Sequence, residues 1–262
     1  MPLWLTYPLL AWGLLIPIFF LLWAMSRRMD NYALVDVGWS YSFAFVALFY
    51  LLMKDATEVR ALVITAAAVV WSIRLGSHLY LNRIKGRPEE GRYRELRRVW
   101  SQNMAFKLLV FFQMQALSVV VLSLPFLLVI LDPGGGLGFW ELGAVVLGLI
   151  AIGGEALADH QLQRFIAKPE NKGQVCKQGL WRYSRHPNYF FESLIWVAFA
   201  LMAVNSQLGW LAFLSPLIVW YLIIKVTGIP PTEAQSLRSK GDAYRQYQRE
   251  TSAFFPLPWK SG

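Results

Sequence analysis

Apolar residues run through this chain in long blocks, and the polar residues collect between them. Windows near the roughly 20 residues that a helix needs to cross a bilayer fall at 4–25, 32–53, 61–81, 108–131, 139–158, 190–204 and 208–225. The pattern predicts an all-α, polytopic integral membrane protein with about seven transmembrane helices. The sixth window is short, which moves its start back into the polar loop before it. Pro230 and Pro231 close the last window. The polar stretch around Tyr244 and Tyr247 reads as a short interfacial helix, after which 254–259 return to the membrane.

Composition agrees with lipid as the solvent. The 262 residues are 56% hydrophobic and 15% aromatic, with only 16% charged, too few for an ordinary soluble domain of this length. The formal charge of +9 sits mostly in the loops after the first, third and fifth windows, while the intervening connections are nearly neutral or short. Under the positive-inside rule the N-terminus is outside and the C-terminus cytosolic. Basic juxtamembrane loops facing anionic lipid account for the charge, so no nucleic acid partner is implied. A single cysteine, Cys176, excludes an internal disulfide and a cysteine-pair metal site. The first window lacks a basic leader and a small-residue cleavage site, so it reads as a retained helix. With no repeat or low-complexity tract, residues 1–262 read as one membrane-embedded domain, monomeric, with cytosol-facing loops at about 82–107, 159–189 and 226–262.

Polar residues inside the apolar windows carry the candidate chemistry, because a carboxylate at the bilayer centre costs roughly 2.5–3.5 kcal/mol even on lenient scales unless it faces protein or water. Asp36 enters the second window. Trp71, Arg74 and His78 form one stripe of the third, which makes Arg74 the natural partner of Asp36, with Tyr41 completing a cavity. An ion pair that only fixes helix register is the alternative. Glu155 and Asp159 end the fifth window one turn apart, followed by Gln163 and Arg164. Asn188 and Glu192 repeat that spacing at the start of the sixth, as a clamp for a polar ring or amine. His186 beside them reads equally as a helix cap. There is no His/Cys metal cluster, His-Glu-x-x-His, Gly-x-Ser-x-Gly, P-loop or Gly-x-Gly-x-x-Gly, so no metal is expected, and hydrolase, NTPase and Rossmann readings fall away.

The run Gly179-Leu180-Trp181-Arg182-Tyr183-Ser184-Arg185-His186-Pro187-Asn188-Tyr189, with Glu192, resembles the C-terminal motif of the steroid 5-alpha-reductase family and of the related sterol C14 and C7 reductases. Asp36-Val37-Gly38-Trp39 and Glu89-Glu90-Gly91-Arg92-Tyr93 resemble two N-terminal motifs of its bacterial branch, and the likeness extends over 36–256. The resemblance implies a seven-span helical enzyme that binds NADPH and reduces a carbon–carbon double bond conjugated to a carbonyl. Carried over, Asp159 and Arg164 hold the adenosine half, and Lys168 is a further cofactor contact. Tyr183, Arg185, His186, Asn188 and Glu192 match the segment that lines the phosphates and nicotinamide, with Leu180, Ser184 and Tyr189 as further cofactor contacts. Arg83 and Arg87 match a basic pair after the third span, Lys225 stands at a usual Arg, and Glu233, Tyr244 and Tyr247 complete the cofactor contacts. Asp36 stands near the family's carbonyl-polarising Glu, but Trp71 replaces its Tyr. Because an indole cannot pass a proton, His78, Tyr41 and Tyr93 become candidates for the acid.

The implied substrate is a 3-oxo-delta-4 steroid or similar enone lipid entering sideways from the bilayer. Deep residues would polarise its carbonyl, and shallow basic ones would hold the cofactor phosphates. The rival is a methyltransferase of the isoprenylcysteine carboxyl type using S-adenosylmethionine, which shares Arg-His-Pro-x-Tyr before a membrane helix with Glu. A non-catalytic lipid-binding protein is the third reading.

Overall fold

The computed structural model describes residues 1–132 and 134–258. Trp259, the end of the expected return to the membrane, lies outside the described residues. Among them the chain is almost wholly helical and holds no β-strand, as a backbone in lipid must satisfy its own N–H and C=O groups. The α-helices are α1 (Leu3–Met29), α2 (Leu34–Lys54), α3 (Val59–Leu79), α4 (Gly91–Val99), α5 (Met104–Leu122), α6 (Leu124–Leu131), α7 (Phe139–Ile166), α8 (Pro187–Met202), α9 (Leu214–Tyr221) and α10 (Ile229–Glu250). Among the described residues six stretches are long and apolar enough to span: α1, α2, Val59–Ile84, Met104–Leu131, α7, and Gly209–Glu250, whose apolar part is 209–226. The chain is thus built as an integral membrane protein. α8, with 16 residues, is shorter than the ~20 a perpendicular span requires, and it starts at Pro187, inside the polar motif.

Two windows are less regular than the hydropathy pattern implies. The fourth breaks at Ser123 between α5 and α6, because Pro125 has no N–H to continue the ladder. The C=O of Ser123 accepts from Phe126 and Leu127 instead. After the last span, Pro230 and Pro231 open a helix as well as closing the one before. In a first turn the fixed φ of proline suits the helix and its missing N–H has no intrahelical partner to lose. The expected short helix is therefore the 22-residue α10, interrupted only at Gly241 (φ 54°, ψ −128°).

The chain divides into two compact units. Unit 1 comprises Met1–Glu141 and Ala200–Ser215, with α2 packed on α3 and α1 on α5 and α2. α1 buries Tyr7, Ala11, Leu15 and Phe19, a single i, i+4 face, and leaves Leu9, Leu10, Leu14 and Leu21 exposed toward lipid. Phe43 centres the aromatic core, 4.7 Å from Trp39, 5.3 Å from Trp71 and 6.4 Å from Phe126. Small residues bring α2 and α3 together: Ser72 Oγ donates to the Ser40 carbonyl, and a Cβ on Gly76 would meet the Tyr41 ring at 2.8 Å.

The loops read as nearly neutral are tied by a buried ion cluster. Arg60, 3% exposed, meets Glu141, 1% exposed, at 3.2 Å and Asp132 at 3.4 Å. It also donates to Ser206 Oγ at 2.9 Å and the Met202 carbonyl at 3.1 Å. Glu141 accepts from Asn205 at 3.1 Å and from the Gly138 N–H at 3.0 Å. Three connections are thereby fixed by one guanidinium with every acceptor close, the arrangement a buried charge requires.

Unit 2 comprises Leu142–Phe199 and the chain from Pro216 onward. A Cβ on Gly154 of α7 would stand 2.4 Å from the Phe191 ring, so glycine lets α8 lie against α7 there. Phe165, Cys176 and Trp181 form a small core under the loop that joins those helices. The segment after α10 returns along the polar motif. Arg185 N–H donates to the Ser252 carbonyl at 2.8 Å, Ser184 Oγ to that of Phe254 at 2.8 Å, and Leu257 N–H to that of Tyr183 at 3.0 Å.

Candidate functional site

Each unit carries its own polar cluster. In unit 1, Asp36 in the first turn of α2 receives two residues of α4, a short basic helix that the Glu89-to-Tyr93 motif opens. Arg92 Nη2 donates to Asp36 Oδ2 at 2.6 Å and Tyr93 Oη to Oδ1 at 2.7 Å; Arg92 also donates to Tyr93 Oη at 2.9 Å. Arg83 stands 3.7 Å from the same carboxylate and 3.0 Å from Glu90. Tyr93 is fully buried, and burial pushes its phenol well above the usual tyrosine range; the Arg92 charge pulls the other way without prevailing. The group is therefore a neutral donor at physiological pH. The structure thus joins Asp36, Arg83 and Tyr93, and adds Arg92, which was legible only as a member of its motif.

The pairing expected of Asp36 is corrected. Among the described residues the carboxylate is met by Arg92, Tyr93 and Arg83 and not by Arg74, because the first turn of α2 is met by α4. Trp71 is wholly buried against Phe43, so it packs the core. Tyr41 lies over Gly76, 40% exposed, its hydroxyl 3.0 Å from Ser77 Oγ. His78 and Asn82 contact each other, with Nδ2 of Asn82 donating to the His78 carbonyl at 2.8 Å. Arg87 is exposed in a separate cleft of about 500 Å³ with Met29, Asn31, Arg94 and Arg97.

In unit 2, Asn188 in the first turn of α8 donates from Nδ2 to Asp159 Oδ1 at 3.3 Å, with Asp159 buried on α7 one turn after the buried Glu155. Asn188 Oδ1 is buried and accepts no hydrogen bond. Glu192 accepts from Trp196 at 2.9 Å. The motif before α8 is tied to α10. Arg185 Nε donates to Glu233 at 2.6 Å and its Nη1 to the carbonyls of Gln248 at 3.0 Å and Thr251 at 2.5 Å. His186 lies 3.3 Å from the same Glu233 and stacks on Tyr189 at 5.4 Å, whose hydroxyl meets Thr232 at 3.3 Å.

Burial opposes the charge on Glu233, but hydrogen bonds from His186 and Arg185, the Arg185 charge and Gln248 outweigh it and hold the carboxyl down to about 2. Tyr247 donates to the Trp181 carbonyl and packs edge-on with Tyr244 at 5.8 Å. Leu180 N–H donates to Gln161 at 2.9 Å, and Ser184 Oγ accepts from His186 N–H at 3.1 Å. Arg185, His186, Ser184, Glu233 and Tyr247 thus brace the motif. Arg182 and Tyr183 of the motif are exposed, as are Arg164, Lys168 and Lys225 among the residues expected at the cofactor. Lys225 sits in the π-helical turn Leu222–Val226, as Arg83 does in Tyr80–Ile84, and such turns collect at functional sites.

A family model described as "Protein of unknown function (DUF1295)" matches residues 22–251. An uncharacterised protein of Schizosaccharomyces pombe is 26% identical over 266 residues, covering 90% of this chain and 75% of that protein. No solved structure matches the chain.

Proposed function

The chain belongs to the DUF1295 family, which by itself leaves the chemistry open, and we propose that it is an NADPH-dependent reductase of the steroid 5-alpha-reductase type. Its substrate in this reading is a 3-oxo-delta-4 steroid or similar enone lipid. The observation that carries the reading is the junction at Asp36. Two stretches that resemble separate motifs of that family meet in one hydrogen-bonded group, Asp36 with Arg92 and Tyr93, although 56 and 57 residues apart in sequence.

The residues of unit 2 fit a nicotinamide dinucleotide. Asn188 Oδ1 is a buried acceptor in want of a donor, as an amide or ribose hydroxyl would supply. Arg164 and Lys168 are exposed cations suited to phosphate. Asp159, through Asn188, orients that amide. Arg185 supports the motif from Glu233, so its part is positioning. Hydride for the β-carbon of the enone is what NADPH supplies when bound.

The chain's own residues have to manage the charge that follows. As the β-carbon gains its hydrogen, the electron pair of the double bond moves onto the carbonyl oxygen, and a proton must reach the α-carbon to complete saturation. A neutral donor at that oxygen stabilises the enolate. Tyr93 is assigned that role: its one hydroxyl hydrogen, donated to Asp36 in the absence of substrate, would turn to the carbonyl oxygen when substrate binds, with Arg92 balancing the charge that develops. On the positive-inside rule the cofactor loops face the cytosol and the N-terminus lies outside.

The test is thermal unfolding of the purified protein with NADPH, NADH or S-adenosylmethionine, since a ligand of the folded state stabilises it with the logarithm of its saturation. Stabilisation by NADPH, with consumption of NADPH in the presence of progesterone, supports the reductase. Stabilisation by S-adenosylmethionine alone would replace it with the methyltransferase.

A further inference from the structure

Unit 1 has a concavity that this function does not use. Where α1 ends, Met29, Asp30 and Asn31 form one wall of the 500 Å³ cleft, and Arg87, Pro88, Glu89, Arg94 and Arg97 form the other. Arg97 is committed within it, to Asp30 at 2.5 Å and Glu89 at 2.9 Å, and its guanidinium covers the Tyr32 ring at 4.8 Å. Arg87 and Arg94 are exposed, and among the described residues neither guanidinium makes an ion pair or hydrogen bond. Two uncommitted guanidiniums thus share one cleft with the acids already matched by a third.

Asn31 supplies the second observation. It is only 6% exposed, its Oδ1 accepts from the Ala33 N–H at 3.1 Å, and its own N–H donates to the Ser26 carbonyl at 3.0 Å. Its Nδ2 bonds no group among the described residues, and Asn31 lines the cleft. A nearly buried amide that keeps a donor free toward two arginines asks for an acceptor with several oxygens and negative charge.

The depth of the cleft says where such a group comes from. α1 is apolar until its last turn, which carries Arg27 and Arg28. One turn earlier Trp23 donates to the Ala105 carbonyl at 3.1 Å and stacks under Arg27 at 5.1 Å, an aromatic anchor at the level of lipid headgroups. Phe106 and Val99 are exposed beside the basic helix. We propose that this cleft is a phosphate site filled by the headgroup of an anionic phospholipid, with Arg87, Arg94 and Asn31 Nδ2 as its donors. The inference does not depend on the reductase reading, and no turnover is needed to test it.

The experiment places the full-length protein in nanodiscs of phosphatidylcholine with increasing phosphatidylglycerol and follows thermal unfolding and retained lipid by native mass spectrometry. Phosphatidylglycerol is expected to stabilise the protein at low mole fraction. Arg87→Gln with Arg94→Gln is expected to shift the half-effect to about 30-fold more lipid, from ~1 kcal/mol per basic residue. Both side chains are exposed, and unfolding in phosphatidylcholine alone checks that the fold is kept. Asn31→Asp keeps the Oδ1 acceptor for Ala33 while turning the donor into a repelling oxygen, so it should weaken retention too. Arg98→Gln, at an exposed arginine paired with Glu95 at 2.6 Å, is the control for general surface charge.

An undiminished lipid response in the double variant overturns the proposal, as does an equal loss in the control. Inorganic phosphate or NADPH competing for the same three residues, with no preference between the two lipids, assigns the cleft to a soluble phosphate and overturns the lipid source. Loss confined to the Arg87, Arg94 and Asn31 variants supports it.

Discussion

Arg185 donates to Glu233 Oε1 at 2.6 Å, and that bond joins the polar motif to α10. The two side chains are 10% and 15% exposed, so water is a poor substitute partner for either. Glu233→Gln is expected to lower stability by about 3–5 kcal/mol, because it leaves a guanidinium buried without its counter-charge. Thermal unfolding in detergent measures it, and Tm within a degree of wild type would contradict the bracing role.

The same pair sets an acid limit. Glu233 has its folded pKa lowered to about 2, so its stabilisation is complete above the ordinary carboxylate range and fades as pH falls toward 2. Wild type should lose stability between pH 4.5 and 2 more steeply than Glu233→Gln, which has no proton to take up there. Parallel acid curves for the two proteins would remove Glu233 as the cause.

Tyr93→Phe keeps the ring packed and removes only the hydroxyl between Asp36 and Arg92. Single-turnover reduction of progesterone should slow by roughly 10²-fold or more, in the range of general-acid contributions, with stabilisation by NADPH unchanged. Normal turnover by the folded variant would move the acid elsewhere, with Tyr41 and Ser77 next to be tried.

Asn188→Ala is expected to weaken NADPH binding by roughly 1–3 kcal/mol, the cost of unmade hydrogen bonds to a buried group, which is a change of about 5- to 150-fold in Kd. A titration of intrinsic fluorescence reads it directly. Unaltered affinity would return Asn188 to holding Asp159 alone.

Arg60→Met should unfold the protein at markedly lower temperature, since Glu141 stays 1% exposed with its charge unmatched. Adding Glu141→Gln should recover part of the loss. Additive losses in the double variant would show that the two do not interact in the folded protein.

What the sequence made legible followed from one-dimensional patterns. Hydropathy located the spans because every spanning backbone needs its apolar length, and a short sixth window already placed a helix start within the motif, where Pro187 begins α8. Periodicity could not supply what depends on a separate element. The α3 stripe pointed Asp36 to Arg74, whereas the partners came from α4. Arg60 and Glu141 stand at the margins of apolar windows, where a charge reads as solvated, so their burial was invisible. The tie from Arg185 to Glu233, 48 residues later, likewise depends on an element that no local pattern links to the motif.

The pairing of 252–257 with the motif loop bears on synthesis. Tyr183, Ser184 and Arg185 receive their last backbone and hydroxyl partners from Ser252, Phe254 and Leu257. A ribosome reading this message therefore cannot see the motif loop completed until those codons are translated and their residues have left the exit tunnel. A premature stop just before Ser252 would leave every spanning segment intact and insertable, yet release a protein whose motif lacks its final ties.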